Sequence, residues 1–309
     1  MSQGAVLLVG QAVLDQVWQV HSLVAGAGKH VAQGHHGRAG GLAARAALAA
    51  LRLRDPARSP AIRLVSALGD DDTGRWLRQS LAADGLCCDA VATVPGAHTG
   101  VSAVLVDGDG ERQVHSFRGD ALSRAPLPSA AVLADAVALQ VDPRWPAGAA
   151  WALQAARIRG LTAMLDGEWA PTDILRSLLP QVPAGGWAVF SQDGLQAWAG
   201  PGASPDAGAA AWLADAAQAA PGVELVVTQG AEGVLWRRPD GACQALPAFR
   251  VTVQDTNGAG DTLHGALLLG LAEGLPAPTA LRRAMAAAAL ACTGMAPDRA
   301  ALDHFLEHS

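Results

Sequence analysis

The chain has 309 residues, half of them hydrophobic and 16% charged, with 22 Lys and Arg against 28 Asp and Glu for a formal net charge of −6. That balance supplies no positive field to hold a phosphate backbone, so a nucleic-acid partner is not expected. No apolar run approaches the ~18 residues that cross a bilayer, since the Ala-rich segment from Ala284 to Ala291 is short and follows directly on Arg282 and Arg283, so no membrane partner is expected either.

The first residues, MSQGAVLLVG, lack a basic region ahead of the apolar stretch, which predicts no secretion signal and a cytoplasmic protein. From there, short aliphatic runs alternate with Ala- and Leu-rich segments of helical period, the pattern of a parallel sheet with crossover helices. Core strands are predicted at Val6–Val9, Ile62–Ala67, Ala136–Val141, Thr162–Asp166, Trp187–Phe190 and Leu225–Thr228, each almost continuously apolar, as strands covered on both faces are. Helices are predicted at Leu42–Leu51, Gly74–Ala83, Ala149–Arg159, Ala209–Ala219 and Asp261–Glu273.

Two stretches break this rhythm and read as hairpins with one wet face: Leu14–Val20, and Val101–Val106 with Glu111–Phe117 around the turn Asp107-Gly108-Asp109-Gly110. Strands leaving the main sheet early in the chain and again near residue 100 are expected to pair as a flap over a site. The loop Gly200–Gly208 is rich in Gly, Pro and Ser, and no internal repeat is present. Cys87, Cys88, Cys243 and Cys292 match neither a metal spacing nor a disulfide framework and read as idle thiols.

Asp255-Thr256-Asn257-Gly258-Ala259-Gly260-Asp261, followed by the apolar helical run Thr262–Leu271, is the most informative heptad. A turn of small residues that opens a helix lets an anion approach the backbone, where unpaired N–H groups and the positive end of the helix dipole hold phosphoryl oxygens. Asp261, in the same place, is positioned to take a proton from an attacking hydroxyl. An ordinary N-cap Asp after a Gly turn is the plainer reading, and the two aspartates bracketing Gly-Ala-Gly weigh against it.

The heptad resembles the DTxGAGD signature of the ribokinase-like, or PfkB, family of sugar and nucleoside kinases. Gly40-Gly41 before an Ala-rich helix is similar to the family's early GG pair, Gly69-Asp70-Asp71-Asp72-Thr73-Gly74 to its G-x-D-x-x-G segment, and Thr228-Gln229-Gly230-Ala231-Glu232-Gly233 to its T-x-G-x-x-G. The resemblance runs from about residue 6 to residue 305 and implies a three-layer α/β/α sandwich over residues 1–309. A small β-sheet lid is implied, with strands from about 11–21 and 97–119, as are ATP and Mg2+, with K+ as a further ion, and a homodimer through the lid. It implies Asp261 as catalytic base and the backbone of Gly258, Ala259 and Gly260 as anion hole. Asp15 and Gly41 are implied at the sugar, and Thr228, Gly230, Gly233, Thr256 and Gly294 along the nucleotide.

The chain departs from that pattern in two places. Arg45 stands where members commonly carry a sugar-contacting Asn; facing the pocket it would favour an anionic substituent, and on the outer face it would merely be solvated, a choice helical period does not make. After Phe190, where an N-x-x-E motif is expected, the chain has Ser191-Gln192-Asp193-Gly194, so the oxygen ligands of Mg2+ fall to Asp166, Glu168 and Asp255, with Asp193 behind them. Among the basic residues expected at the substrate end (Lys29, Arg38, Arg118 and Arg144), Lys29 is the sole lysine of the chain. Gly28-Lys29-His30-Val31, the GDDDTG segment, Arg144-Trp145 and Leu165-Asp166-Gly167 resemble the branch of 6-deoxy-6-sulfofructose kinases, which implies Lys29 and Arg144 as anion ligands. The expected function is therefore transfer of the γ-phosphoryl of ATP to a sugar hydroxyl, with a ketohexose bearing an anionic group as one acceptor. Neutral sugars of the ribose, fructose or 2-keto-3-deoxygluconate type, nucleosides, and a catalytically silent sugar-binding relative are the alternatives.

Overall fold

The computed structural model describes residues 4–23, 28–108, 110–202 and 208–309. Asp109 of the hairpin turn, Gly26 and Ala27 ahead of Lys29, and residues 203–207 of the Gly/Pro/Ser-rich loop lie outside the described residues. In chain order the elements are β1 (Ala5–Val9), β2 (Val13–Gln19), β3 (Gly34–Gly40), α1 (Leu42–Leu53), β4 (Ala61–Gly69), α2 (Asp72–Ala83), β5 (Val91–Val94), β6 (Gly100–Val106) and β7 (Arg112–Phe117). There follow α3 (Ala121–Arg124), β8 (Ala136–Val141), α4 (Pro146–Arg159), β9 (Thr162–Gly167), α5 (Thr172–Leu178), β10 (Trp187–Phe190), α6 (Gln192–Ala199), α7 (Gly208–Ala219) and β11 (Glu224–Thr228). The chain closes with β12 (Val234–Arg237), β13 (Cys243–Leu246), α8 (Ala259–Ala272), α9 (Ala277–Cys292) and α10 (Arg299–Glu307).

Nine strands form one sheet in the order β13-β12-β11-β10-β9-β8-β1-β4-β5, parallel from β5 to β11 and antiparallel at β12 and β13. Strand alternation divides the core between its two faces. Val6 and Leu8 of β1 join the cluster under α1, α8 and α9, while Ala5, Leu7 and Val9 join the cluster under α4, α5 and α7. This is the three-layer α/β/α sandwich, and the six predicted core strands all lie in the nine-stranded sheet.

Four strands, in the order β3-β2-β6-β7, form the lid. The two early lid segments pair as a flap: β2 runs parallel to β6, from Val13 opposite Gly100 to Gln19 opposite Val106. Leu14–Val20 is not a hairpin on its own. Its antiparallel partner is β3, Gly-His-His-Gly-Arg-Ala-Gly, which carries no β-branched residue and no apolar alternation. That strand forms because β2 offers it a ladder, so a local pattern had nothing to announce it.

Helix α1 settles deep because it is nearly all alanine on its inner side, with Ala43, Ala44, Ala46, Ala47, Ala49 and Ala50 buried. It crosses α8 at Gly265, where a Cβ would stand 2.2 Å from the Ala46 carbonyl oxygen. The start of α1 is fixed by Asp142, a fully buried carboxylate just beyond β8. Its Oδ2 accepts the backbone N–H of Gln11 at 2.7 Å and of Ala43 at 3.2 Å, and its Oδ1 that of Arg144 at 2.8 Å. An unmade bond to a buried donor costs about 1–3 kcal/mol. Asp142→Ala, which strands three such donors, is therefore expected to lower stability by roughly 3 kcal/mol or more. Asp142→Asn, which turns one N–H against another, should cost about 1–2 kcal/mol less than the alanine, as read by urea denaturation.

Candidate active site

The heptad turns into α8 at Gly258, whose φ of 86° suits glycine, and Asp261 lies in the first helical turn. The close crossing of α1 over α8 brings Arg45 onto this turn. Its Nε stands 3.1 Å from Asp261 Oδ2, its Nη1 donates to Asn257 Oδ1 at 2.7 Å, and a Cβ on Gly258 would meet its Nη2 at 2.0 Å. Arg45 thus faces the pocket, with its side chain 19% exposed. The glycines of the turn are not equivalent. Arg45 covers Gly258, whereas around Gly260 no atom beyond its chain neighbours and its own helix backbone lies within 4 Å of where a Cβ would project, so the open approach to the helix start is at Gly260.

Asp15 is brought to the same guanidinium from the lid strand β2, with Oδ2 3.9 Å from Arg45 Nη1 and 4.0 Å from Arg38 Nε of β3. Gly40 lets β3 pass over this carboxylate, since a Cβ there would lie 2.3 Å from Asp15 Cγ. Gly41, φ 93°, lets α1 begin against the Gln11 carbonyl, 2.5 Å from where its Cβ would stand. Burial raises the pKa of both Asp15 and Asp261, and Arg45 is the largest influence opposing burial in each case. Two buried carboxylates and two guanidiniums, Arg38 and Arg45, make a locally neutral cluster, with Asp15 on one side and Asp261 at the helix start on the other.

Among the described residues, the acidic residues expected to hold Mg2+ form no group of three close side chains. Asp166 is fully buried at the end of β9, where its Oδ1 accepts the Glu168 N–H at 3.0 Å and its Oδ2 accepts from Gln140 at 3.4 Å. His264 Nδ1 lies 3.6 Å from Oδ2. Burial pushes the Asp166 carboxyl up to about 7, with His264 opposing. Glu168 Oε1 accepts from Ser191 Oγ at 3.2 Å, and Ser191 caps α6, while Asp193 is exposed. Asp255 is exposed, closes a turn onto the Asn257 N–H at 2.7 Å and faces Arg112 of β7 at 3.8 Å. Among the described residues the one group of three close metal-ligating side chains is His304, Glu307 and His308 on and just beyond α10, so a cation at this site would share few protein ligands and depend on phosphate and water oxygens. Asp255 has a cation, Arg112, beside it.

Of the residues expected along a nucleotide, Gly230, φ 57°, opens a short turn with nothing near its Cβ position, whereas Gly233, φ 100°, is a packing glycine, its Cβ position 2.0 Å from the Leu246 carbonyl. Thr228 Oγ1 donates to the Phe190 carbonyl at 3.4 Å. Thr256 Oγ1 accepts from Arg112 Nη2 at 2.8 Å, so the lid rests on the heptad. Gly294 lines a cavity of about 280 Å3 with Arg38, Arg45, Asp255, Asn257 and Gly258. Asp71, in the GDDDTG segment, caps α2 and accepts from the N–H and hydroxyl of Thr99, a structural role.

Arg144 is half-buried beyond β8, with its guanidinium carbon 5.9 Å from the centre of the Trp169 ring and Nη1 buried without a hydrogen-bond partner. It does not pair with the Asp142 side chain, which takes its backbone N–H instead. Burial and the nearby Arg118 guanidinium both hold the Arg144 pKa down. Lys29 is exposed between β2 and β3, and no hydrogen bond or ion pair joins it to this cluster among the described residues.

Comparison with known proteins covers nearly the whole chain. The description pfkB family carbohydrate kinase matches residues 4–301. The chain belongs to the PfkB family. Among solved structures it is similar to a putative ribokinase from Agrobacterium tumefaciens, 30% identical over 99% of this chain and 98% of that one, with a TM-score of 0.88. It is 27% identical to the ribokinase of Haemophilus influenzae over 87% of this chain and 88% of that protein. The match to the Lactococcus lactis ribokinase is 44% identical and local, covering 21% of this chain and 22% of that protein.

For a PfkB family chain, three residues of the site escaped sequence reasoning in their actual roles. Asp142 had a signal, an acid at the C-terminal edge of a buried strand where α/β sites collect polar groups. Arg112 and His264 had none, because their partners are 144 residues away in sequence for Arg112 with Thr256 and 75 for His264 Nε2 with the Val189 carbonyl. The Asp166 carboxyl, raised from 3.8 to about 7, binds its proton more tightly folded than unfolded. Its contribution is therefore full below pH ~4 and is lost as pH rises through ~7. The melting temperature of Asp166→Asn relative to wild type is expected to climb from pH 4 to pH 7 in a series of thermal melts; a constant offset would contradict this.

Proposed function

We propose that this chain is an ATP-dependent sugar kinase. One observation carries the reading: Asp261, in the first turn of a helix that opens on a glycine turn, shares the Arg45 guanidinium with Asp15 of the lid. A hydroxyl held by Asp15 would face the base. Asp261 takes the hydroxyl proton, the oxygen forms its bond to the γ-phosphorus, and the bond from that phosphorus to the bridging oxygen of ADP breaks, its electrons leaving with ADP. Backbone N–H groups at the open Gly260 side of the α8 start, with Ala259, hold the phosphoryl oxygens. Thr228, Gly230 and Gly233 run beside the nucleotide, with Thr256 and Gly294 on the heptad side. When bound, Mg2+ would supply charge neutralisation at the phosphates and would be held from the protein by Glu168, with the buried Asp166 behind it and K+ as a further ion.

The acceptor we favour is a ketohexose bearing an anionic group, 6-deoxy-6-sulfofructose being one such sugar. Arg144 supports this, because a buried guanidinium nitrogen with no protein acceptor, beside Arg118, suits an anionic oxygen. Lys29, on the β2–β3 connection, is proposed as a second cation. We also propose a cytoplasmic enzyme and a homodimer through the lid, where β7 is exposed along its length, with Val114 55% and Phe117 60% exposed. No described helix is long and apolar enough to cross a membrane.

An ADP-release screen against neutral, phosphorylated and sulfonated ketohexoses, aldoses and nucleosides tests the reading. Asp261→Asn is expected to lower kcat by about 10²–10⁴-fold. Loss of a hydrogen bond to a charged group, about 1.5–3 kcal/mol, predicts that Arg144→Ala raises KM for an anionic acceptor roughly 10–100-fold and leaves neutral acceptors untouched. Turnover confined to neutral sugars or nucleosides would refute the anionic acceptor, and turnover that survives Asp261→Asn would refute the assigned base.

A further inference from the structure

We propose that Arg45 is a catalytic residue, a cation supplied from within the chain that contacts the transferring phosphoryl group. This rests on the kinase reading above. The guanidinium is oriented by its own contacts: Nε faces Asp261 at 3.1 Å, Nη1 donates to Asn257 at 2.7 Å, and Nη2 lies over Gly258. These leave Nη2 with two N–H groups for which no acceptor is found among the described residues. A phosphoryl group that reaches the α8 start beside Asp261 would come against the guanidinium that pairs with that carboxylate and covers Gly258.

Charge requires it there as well. Asp15 and Asp261 oppose an arriving phosphate, and Arg38, 4.0 Å from Asp15, stands on the lid side of the cluster. Arg45 is the cation at both carboxylates and at the helix start. As a guanidinium it donates hydrogen bonds to oxygens whose charge grows as the bond to ADP breaks. Its placement is rigid, because Asp142 holds the α1 start through the Ala43 N–H and Gly265 holds α1 against α8. An Asn at position 45 would supply an amide and no charge, and a Lys could not face Asp261 and Asn257 through separate nitrogens.

The test compares Arg45→Ala, Arg45→Lys and Arg45→Asn with wild type in the full chain. Removing one preorganised donor to a transition state costs roughly 10²–10³ in kcat. The expected result is a loss of that order in all three variants, KM for ATP and acceptor within about threefold, and partial recovery of Arg45→Ala, but not of Asp261→Asn, by added guanidinium. Calorimetric affinity for ADP with aluminium fluoride, relative to ADP alone, reads the same contact without an acceptor. Arg45→Ala should lose most of that advantage while binding ADP unchanged. An unchanged kcat with raised acceptor KM, or an unchanged fluoride advantage, overturns the proposal. A wild type that turns over no sugar yet shows an Arg45-dependent fluoride advantage would overturn the acceptor reading and uphold Arg45.

Discussion

Three backbone N–H groups converge on one buried carboxylate, Asp142, and the rest of the site hangs from that convergence. They belong to the link from β1 into the lid, to the first turn of α1, and to the exit from β8. A parallel sheet brings its strand ends to one edge, where the departing chains leave donors unsatisfied. One acid with two oxygens satisfies three of them, and Gly10 leaves room for it, since a Cβ there would stand 2.0 Å from Oδ2. Burial drives the Asp142 pKa up while the donors pull it down, which is the electrostatic signature of a carboxylate held for its geometry.

Fixing α1 in this way decides what its side chains can reach. The alanine face and Gly265 bring α1 backbone to backbone with α8, and Arg45 then lies across the α8 start. The lid contributes Asp15 from one side, and Arg112 of β7 closes onto Thr256 from the other. Asp261 of α8, Asp15 of β2 and Arg45 of α1 therefore meet from two helices and one strand of the four-stranded sheet. Their mutual neutrality explains how two carboxylates persist with side chains 10% and 12% exposed.

Much of the fold was legible because burial on both faces leaves a local mark. Strands such as β1 and β10 are continuously apolar, and α8 begins within a heptad whose small residues make the turn evident. Strand β3 was not legible, since its ladder with β2 replaces any propensity of its own. The lid pairing was anticipated from two interruptions in the rhythm, but the hairpin assigned to Leu14–Val20 was a single strand whose partners lie elsewhere.

The site divides along the same line. The sequence by itself determined the family and the place of Asp261 at a helix start, because these depend on residues adjacent in the chain. Only the tertiary structure decided that Arg45 faces the pocket, that Arg144 leaves the Asp142 side chain alone, that Gly233 packs against β13 while Gly260 stays open, and that Asp255 faces Arg112 of the lid. Each of these turns on a contact between distant segments, such as the 212 residues between Arg45 and Asn257. The direction of a side chain on a helix is fixed by what the helix packs against, and no local period carries that information.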